Sequence, residues 1–156
     1  VALGGPVICG IDDRDEIRCT GESMYGQAEP PSGRFVALGL GNSHGCAIRS
    51  DGTLACWGAG GPGQPMDSLV NWGQSDPPTG TFVALSVSFD HNCAIRMDGT
   101  IACWGHNDLG QANPPDGVFQ EVSCGYTNTC GIGEDGSLVC WGSNTGGRSG
   151  PPDDFE

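Results

Sequence analysis

The sequence predicts an all-β protein: a β-propeller, or propeller-like array, of four repeats of about 37 residues, each a small antiparallel sheet with an internal disulfide. Three observations predict it. One segment recurs four times along the chain. Each recurrence centres on a short hairpin turn. Each turn is flanked by two cysteines at matching distances. The 28 glycines and 11 prolines among 156 residues exclude a long helical bundle, since these are the poorest helix formers. An aperiodic chain of this composition would read as disordered, but here glycine punctuates a period, so the chain is folded. With 37% hydrophobic residues, the core is thin or divided among many small layers. We read residues 1–156 as a single repeat domain, divided at about 1–34, 35–81, 82–118 and 119–156.

The first repeat is degenerate: Val1-Ala-Leu-Gly-Gly-Pro-Val-Ile-Cys9, then Cys19-Thr-Gly. The second runs Phe35-Val-Ala-Leu-Gly-Leu-Gly-Asn-Ser-His-Gly-Cys46-Ala-Ile-Arg-Ser-Asp-Gly-Thr-Leu-Ala-Cys56-Trp-Gly. The third and fourth repeat this pattern from Phe82 to Gly105 and from Phe119 to Gly142. The leading cysteines fall at 9, 46, 93 and 130, so the second spacing carries ten extra residues. We place that insertion at 62–74, where Trp72-Gly73-Gln74 echoes the Trp-Gly of the repeat. A long Gly/Pro-rich insertion in a regular array is expected outside the core, as an exposed loop with a role in contact. Each repeat ends in a proline pair (Pro30-Pro31, Pro77-Pro78, Pro114-Pro115, Pro151-Pro152), and Phe35, Phe82, Phe119 and Phe155 follow them. Proline cannot donate to a ladder, so these segments are edge strands or extended crossings.

Within the second repeat, Ser50-Asp51-Gly52 has the form of a three-residue hairpin loop with glycine last. Counting outward pairs Arg49 with Thr53, Ile48 with Leu54, Ala47 with Ala55 and Cys46 with Cys56. The same arithmetic pairs Cys9 with Cys19, Cys93 with Cys103 and Cys130 with Cys140. These positions fall at non-hydrogen-bonded sites, where Cα atoms lie about 4.5 Å apart, within disulfide range. Each bridge closes a loop of about eleven residues, worth somewhat under 3 kcal/mol in the chain-entropy model. Zinc or a redox dithiol would call for Cys-x-x-Cys pairs, which the sequence lacks. Four structural disulfides place the chain in a secreted or extracellular setting. Both faces of each hairpin are apolar, so each sheet is expected between two others, and the Phe-Val-Ala-Leu segment adds a further strand.

Charge narrows the partners. Nineteen acids face six bases, all arginine, for a net charge of -13. A large basic face for nucleic acid or anionic lipid cannot be built from these residues. The longest clean apolar run, Val83 to Val87, is far short of the roughly 18 residues of a membrane span. The chain has no initiator Met and no signal-peptide pattern, and reads as mature or trimmed.

Candidate chemistry is sparse, and we assign no catalytic residue, metal or cofactor. His44 and His91 share one repeat position, replaced by Asn128 and Val7 elsewhere, and read as hydrogen-bonded structural histidines. The acidic first turn, Asp12 to Glu16, crowds oxygen ligands that suit calcium or stands as a solvated turn, and the solvated reading is preferred because no Asp-x-Asp-x-Asp-Gly loop with a closing Glu follows. Cys124 aligns with Leu40 and Val87: a small buried hydrophobe, or a thiol for an intermolecular bridge. Large groups that break the repeat, Tyr25, Met66, Trp72, Phe89 and Tyr126, are candidate partner contacts, with Phe155 at the final junction.

The run Cys-x-x-x-x-Asp-Gly-x-x-x-Cys-Trp-Gly, followed by Gly-Gln and Pro-Pro, resembles the repeat of the regulator-of-chromosome-condensation superfamily over essentially the whole chain. The spacing Trp104-Gly105, Gly110-Gln111, Pro114 looks most like the secreted branch that includes the propeller-type β-lactamase inhibitor. The paired cysteines are similar to those of Crinkly-type receptor ectodomains. The resemblance implies a propeller, usually of seven blades, that binds proteins through its loop faces. The nucleotide-exchange role of nuclear members is not carried over to an acidic, cysteine-paired chain. The expected function is therefore a secreted, non-enzymatic protein-binding or assembly module. An enzyme inhibitor of the lactamase-inhibitor type is the first alternative, and a structural subunit polymerising head to tail into an extracellular filament is the second. The expected partner is another protein or copies of the chain itself. Four repeats would then act as an oligomer or as part of a longer chain, since an open stack leaves two apolar sheet faces.

Overall fold

The computed structural model describes residues 1–61 and 70–145. Met66 and Phe155 lie outside the described residues, as does much of the insertion. Among the described residues, twelve strands form four three-stranded antiparallel sheets in which neighbours in sequence are neighbours in space. The first sheet holds β1 (Ala2–Gly4), β2 (Val7–Ile11) and β3 (Ile17–Gly21). The second holds β4 (Phe35–Leu40), β5 (His44–Arg49) and β6 (Leu54–Gly58). The third holds β7 (Phe82–Val87), β8 (His91–Arg96) and β9 (Ile101–Gly105), and the fourth β10 (Phe119–Cys124), β11 (Asn128–Gly133) and β12 (Leu138–Gly142).

The hairpin register follows the turn arithmetic. Cys46 faces Cys56, Ala47 faces Ala55 and Ile48 faces Leu54, and the other three hairpins repeat this pairing. The turn glycine adopts the left-handed region at Gly52 (φ 84), Gly99 (φ 83) and Gly136 (φ 83), where only a residue without Cβ is free of strain. In the first hairpin the same position is Asp15, the one non-glycine residue with positive φ among those described (φ 62). The proline pairs belong to no strand, so Pro30-Pro31, Pro77-Pro78 and Pro114-Pro115 lie in crossings between sheets.

A bulge opens each of β4, β7 and β10. Phe35 stands opposite Arg49 and Ala37 opposite Ile48, so Val36 is extra; the third and fourth sheets do the same. The bulge lets Phe35 and Phe82 bury while Val36 and Val83 stay exposed.

The core is divided into slabs between sheets. One slab joins Val7, Cys9 and Ile17 of the first sheet to Phe35, Leu40, Ala47 and Trp57. The next joins Cys46 and Ile48 of the second sheet to Phe82, Ala94 and Trp104. One face of the second sheet thus carries its disulfide and Ile48 towards the third, and its other face carries Ala47 and Trp57 towards the first. The principal sheet-to-sheet contacts link only consecutive repeats. On the outer face of the fourth sheet Cys130 and Ile132 are half-buried, whereas Cys46 and Ile48 are fully buried.

The antiparallel order gives the stack two unlike ends. Turns 5–6, 41–43, 88–90 and 125–127, with the exits of the third strands, lie at one end, here called upper. It is stitched by Asn42 N–H to Phe89 C=O and by Ser88 Oγ to Gly125 C=O. The hairpin turns 12–16, 50–53, 97–100 and 134–137 lie at the lower end. There the N–H groups of Phe35, Phe82 and Phe119 donate to the carbonyls of Asp15, Gly52 and Gly99 in the preceding repeat.

Candidate functional site

Four disulfides join Cys9–Cys19, Cys46–Cys56, Cys93–Cys103 and Cys130–Cys140, with Cα separations of 4.1, 4.1, 4.0 and 4.0 Å. Each staples the second and third strands of one sheet. In the first three sheets the staple lies on the face that meets the following repeat, so it fills core as well as closing a loop.

The junctions between sheets carry a hydrogen-bonded latch that extends one repeat into the next. The indoles of Trp57, Trp104 and Trp141 donate to the backbone carbonyls of Gln27, Gln74 and Gln111, each 30 residues earlier. The glutamine side chain holds its own loop: Oε1 accepts the N–H of the residue two before it, Tyr25, Trp72 or Leu109. Gln74 thus fills the role of Gln27 and Gln111, and this corrects the boundary of the insertion. Residues 72–74 belong to the regular repeat, and the extra residues precede Trp72. The physical reason is that the carbonyl required by Trp104 must come from a glutamine three residues before the proline pair.

Two histidines complete the latch. His44 Nε2 lies 2.7 Å from Asn92 Oδ1, and Asn92 Nδ2 donates to Gln74 C=O at 2.9 Å. His91 Nε2 lies 2.8 Å from Thr129 Oγ1, and that hydroxyl donates to Gln111 C=O at 2.9 Å. The hydroxyl proton is committed to the carbonyl, so His91 carries its proton on Nε2; the Asn92 carbonyl oxygen imposes the same tautomer on His44. Both rings are fully buried. Burial pushes each imidazole down to about 4, partly offset for His44 by Asn92 and reinforced for His91 by His106 and His44. Both are neutral at pH 7, which suits structural donors.

The upper end gathers the aromatic groups singled out by the repeat comparison. Phe89 and Tyr126, from equivalent turns of the third and fourth sheets, meet edge to face with centroids 5.0 Å apart. They are 40% and 66% exposed. Beside Phe89 a hollow is lined by Leu3, Leu40, Asn42 and Ser88. Tyr25 is exposed at the same end, in the loop leaving the first sheet. Trp72 is instead half-buried and stacked on His106, with centroids 4.1 Å apart. Phe89 and Tyr126 are therefore brought together, whereas Trp72 serves the packing of the second-to-third crossing.

Two carboxylates of the acidic first turn, Asp12 and Glu16, are engaged by donors. Asp12 Oδ1 accepts the N–H groups of Arg14 and Glu16, and Arg18 bridges Asp12 and Glu16. The Glu16 and Arg14 amides, with Arg18, hold the Asp12 carboxyl below its ordinary value. Asp51, Asp98 and Asp135 are lowered in the same way by the Thr53, Thr100 and Ser137 hydroxyls and amides across the other turns. These carboxylates fold the turns.

Asn92, Thr129 and the glutamine carbonyls carry the latch, and sequence reasoning did not single them out. A usable signal existed: Gln27, Gln74 and Gln111 each precede a proline pair by three residues.

Known proteins account for this geometry. The model of the regulator of chromosome condensation (RCC1) repeat matches residues 35–64, 82–111 and 119–148. No curated protein matches the chain. Among solved structures, Prp20p of Saccharomyces cerevisiae, described with its binding to Gsp1p and histones, is 17% identical, with a TM-score of 0.78. That likeness covers 99% of this chain and 46% of Prp20p. The ectodomain of the receptor kinase CR4 of Physcomitrella patens is 22% identical over 93% of this chain and 41% of its own, with a TM-score of 0.68. The CRINKLY WD40 ectodomain of the Arabidopsis thaliana receptor kinase ACR4 is 23% identical over 90% of this chain and 51% of its own, also with a TM-score of 0.68. The chain thus spans about half the length of these structures or less. With its repeat model matched three times and its sheets superposing on such arrays, the chain belongs to the family of regulator of chromosome condensation (RCC1) repeat proteins.

Proposed function

We propose that the chain is a secreted binding module that engages a protein partner through its upper end. The observation that carries this reading is the exposed Phe89–Tyr126 pair, held on two turns whose backbones are hydrogen-bonded to their neighbours. Rigid, exposed aromatic groups supply contact area at low entropic cost, and hot spots at protein interfaces are rich in them. The net charge of the chain is -13, so a partner with a basic surface is favoured. Disulfides in all four sheets support an extracellular setting. The relatives described with bound proteins, among them Prp20p, lend analogy to binding rather than catalysis.

The test is affinity capture from the extracellular fraction of the host, with the wild-type chain beside a Phe89→Ser, Tyr126→Ser variant. The variant should melt as the wild type does and lose one or more captured proteins. An identical captured set from both would overturn the reading.

Assembly is a second reading. It is favoured by the outer face of the fourth sheet, where, among the described residues, Cys130 and Ile132 are half-buried while their counterparts Cys46 and Ile48 are fully buried. On this reading a second copy or further repeats of a longer parent protein cover the face. Native mass measurement separates it from the first, because the Phe89/Tyr126 variant should leave self-association unchanged.

A further inference from the structure

Cys124 is the one free cysteine, and it sits at a crowded junction. Between the second and third sheets, Gly39 faces Val87 so closely that a Cβ on the glycine would stand 2.8 Å from the valine Cβ. Between the third and fourth sheets the equivalent positions are Ser86 and Cys124. The smaller thiol side chain admits the serine, and the two bond: Cys124 N–H donates to Ser86 Oγ at 2.9 Å, and its thiol to Ser86 C=O at 3.5 Å. Ser86 lies directly opposite Cys93 in the third sheet. The sulfur is thereby brought over that sheet's disulfide. The sulfurs of Cys124 and Cys93 and a ring nitrogen of His91 all lie within 4.8 Å of one another. Cys93 is bonded to Cys103, so its sulfur here is an electrophile for a thiolate rather than a metal ligand.

We propose that Cys124 and the Cys93–Cys103 bridge form a built-in thiol–disulfide exchange site, through which the staple moves from within the third sheet to a bond between the third and fourth. The Cys124 thiolate attacks Cys93 Sγ. The Cys93–Cys124 bond forms as the Cys93–Cys103 bond breaks, and Cys103 leaves as a thiolate that takes up the proton Cys124 released. One disulfide replaces another, so no oxidant or reductant is consumed. The product cross-links two repeats and leaves the free thiol on half-buried Cys103. Burial pushes the Cys124 thiol up to about 11, only partly offset by Ser86, Thr129 and Cys93. The thiolate is scarce near neutrality, so the site is dormant there and quickens about tenfold per pH unit below that value.

The experiment holds the native chain at pH 7 and pH 9, quenches it with acid, and maps disulfides and maleimide-labelled thiols by mass spectrometry after unfolding. The expected result is label on Cys103 together with Cys93–Cys124 peptides, forming about 100-fold faster at pH 9 than at pH 7, with the other three bridges intact. Cys124→Ser, and Cys124→Val paired with Ser86→Gly in imitation of the Gly39–Val87 contact, should give no label on Cys103. Label confined to Cys124 at both pH values would overturn the proposal, as would equal labelling of Cys103 in the Cys124 variants.

Discussion

The first junction and the two that follow it solve one packing problem with different chemistry. All three share the indole-to-glutamine carbonyl bond. In the second and third junctions a buried histidine reaches across to Asn92 or Thr129. In the first, Val7 stands where the histidines stand, and Gly45 stands where Asn92 and Thr129 stand. A Cβ at Gly45 would collide with the Trp57 ring and the Leu40 side chain, so apolar groups already fill the space that the polar relay fills elsewhere. The backbone register is common, and its filling is interchangeable only as a complete set. A buried polar network must be wholly satisfied or wholly replaced.

Acid should break the two polar junctions and spare the apolar one. His44 and His91 fall to about 4 in the folded protein, below an ordinary value of 6.5. The unfolded chain therefore binds more protons as pH falls from 6.5 towards 4, so the stability these groups contribute above 6.5 is lost across that window. Each contributes up to about 3 kcal/mol by this linkage. Denaturant midpoints measured from pH 7 to pH 4.5 should drop steeply. The double variant His44→Asn, His91→Asn, which copies Asn128, should flatten the curve; an unchanged slope would show that other groups govern it. The turn aspartates act in a separate window: their lowered values protect the fold above the ordinary carboxylate range, and this is lost only as pH falls through the lower folded values.

A smaller effect sharpens the same contrast. His44→Val alone leaves Asn92 Oδ1 without its donor and should cost about 2 kcal/mol. Pairing it with Asn92→Gly, to imitate Val7 and Gly45, should cost less than the sum of the single changes. A double-mutant cycle from urea melts measures this coupling. Strict additivity would mean that the relay does not act as a unit.

The smallest effect lies at the lower end of the first junction. Asp15 holds the left-handed conformation that Gly52, Gly99 and Gly136 hold elsewhere, while its carbonyl makes the same bond to the next repeat. Asp15→Gly should raise stability by up to about 1 kcal/mol, read as a higher melting temperature, with no change in disulfide pattern. The equivalent change Gly52→Asp should lower it by a similar amount.

Much of this fold was legible because its determinants are local. A hairpin turn with glycine last sets the pairing of its strands, and pairing by count placed Cys46 against Cys56 before any contact was known. Repetition then carried that result to the other sheets, even the degenerate first one. The clustering of Phe89 with Tyr126 was half legible: both were marked as departures from the repeat, but their contact depends on adjacent turns standing side by side. The latch was legible only as the spacing of Gln27, Gln74 and Gln111 before the proline pairs: its final acceptors are backbone carbonyls, which have no letter of their own, and Asn92 and Thr129 meet His44 and His91 only across the junction between two sheets.

By itself, then, the sequence determined the repeat, the strand pairing within each sheet and the disulfides, all set by turn geometry over about ten residues. Tertiary structure alone decided the bulges that bury Phe35 and Phe82, the reach of the Trp104 indole to the Gln74 carbonyl, and the meeting of Cys124 with the Cys93–Cys103 bridge. These depend on how one sheet lies over the next. That placement is fixed by the joint volume of side chains from two repeats, as in Gly39 with Val87 and Ser86 with Cys124, and no single repeat contains it.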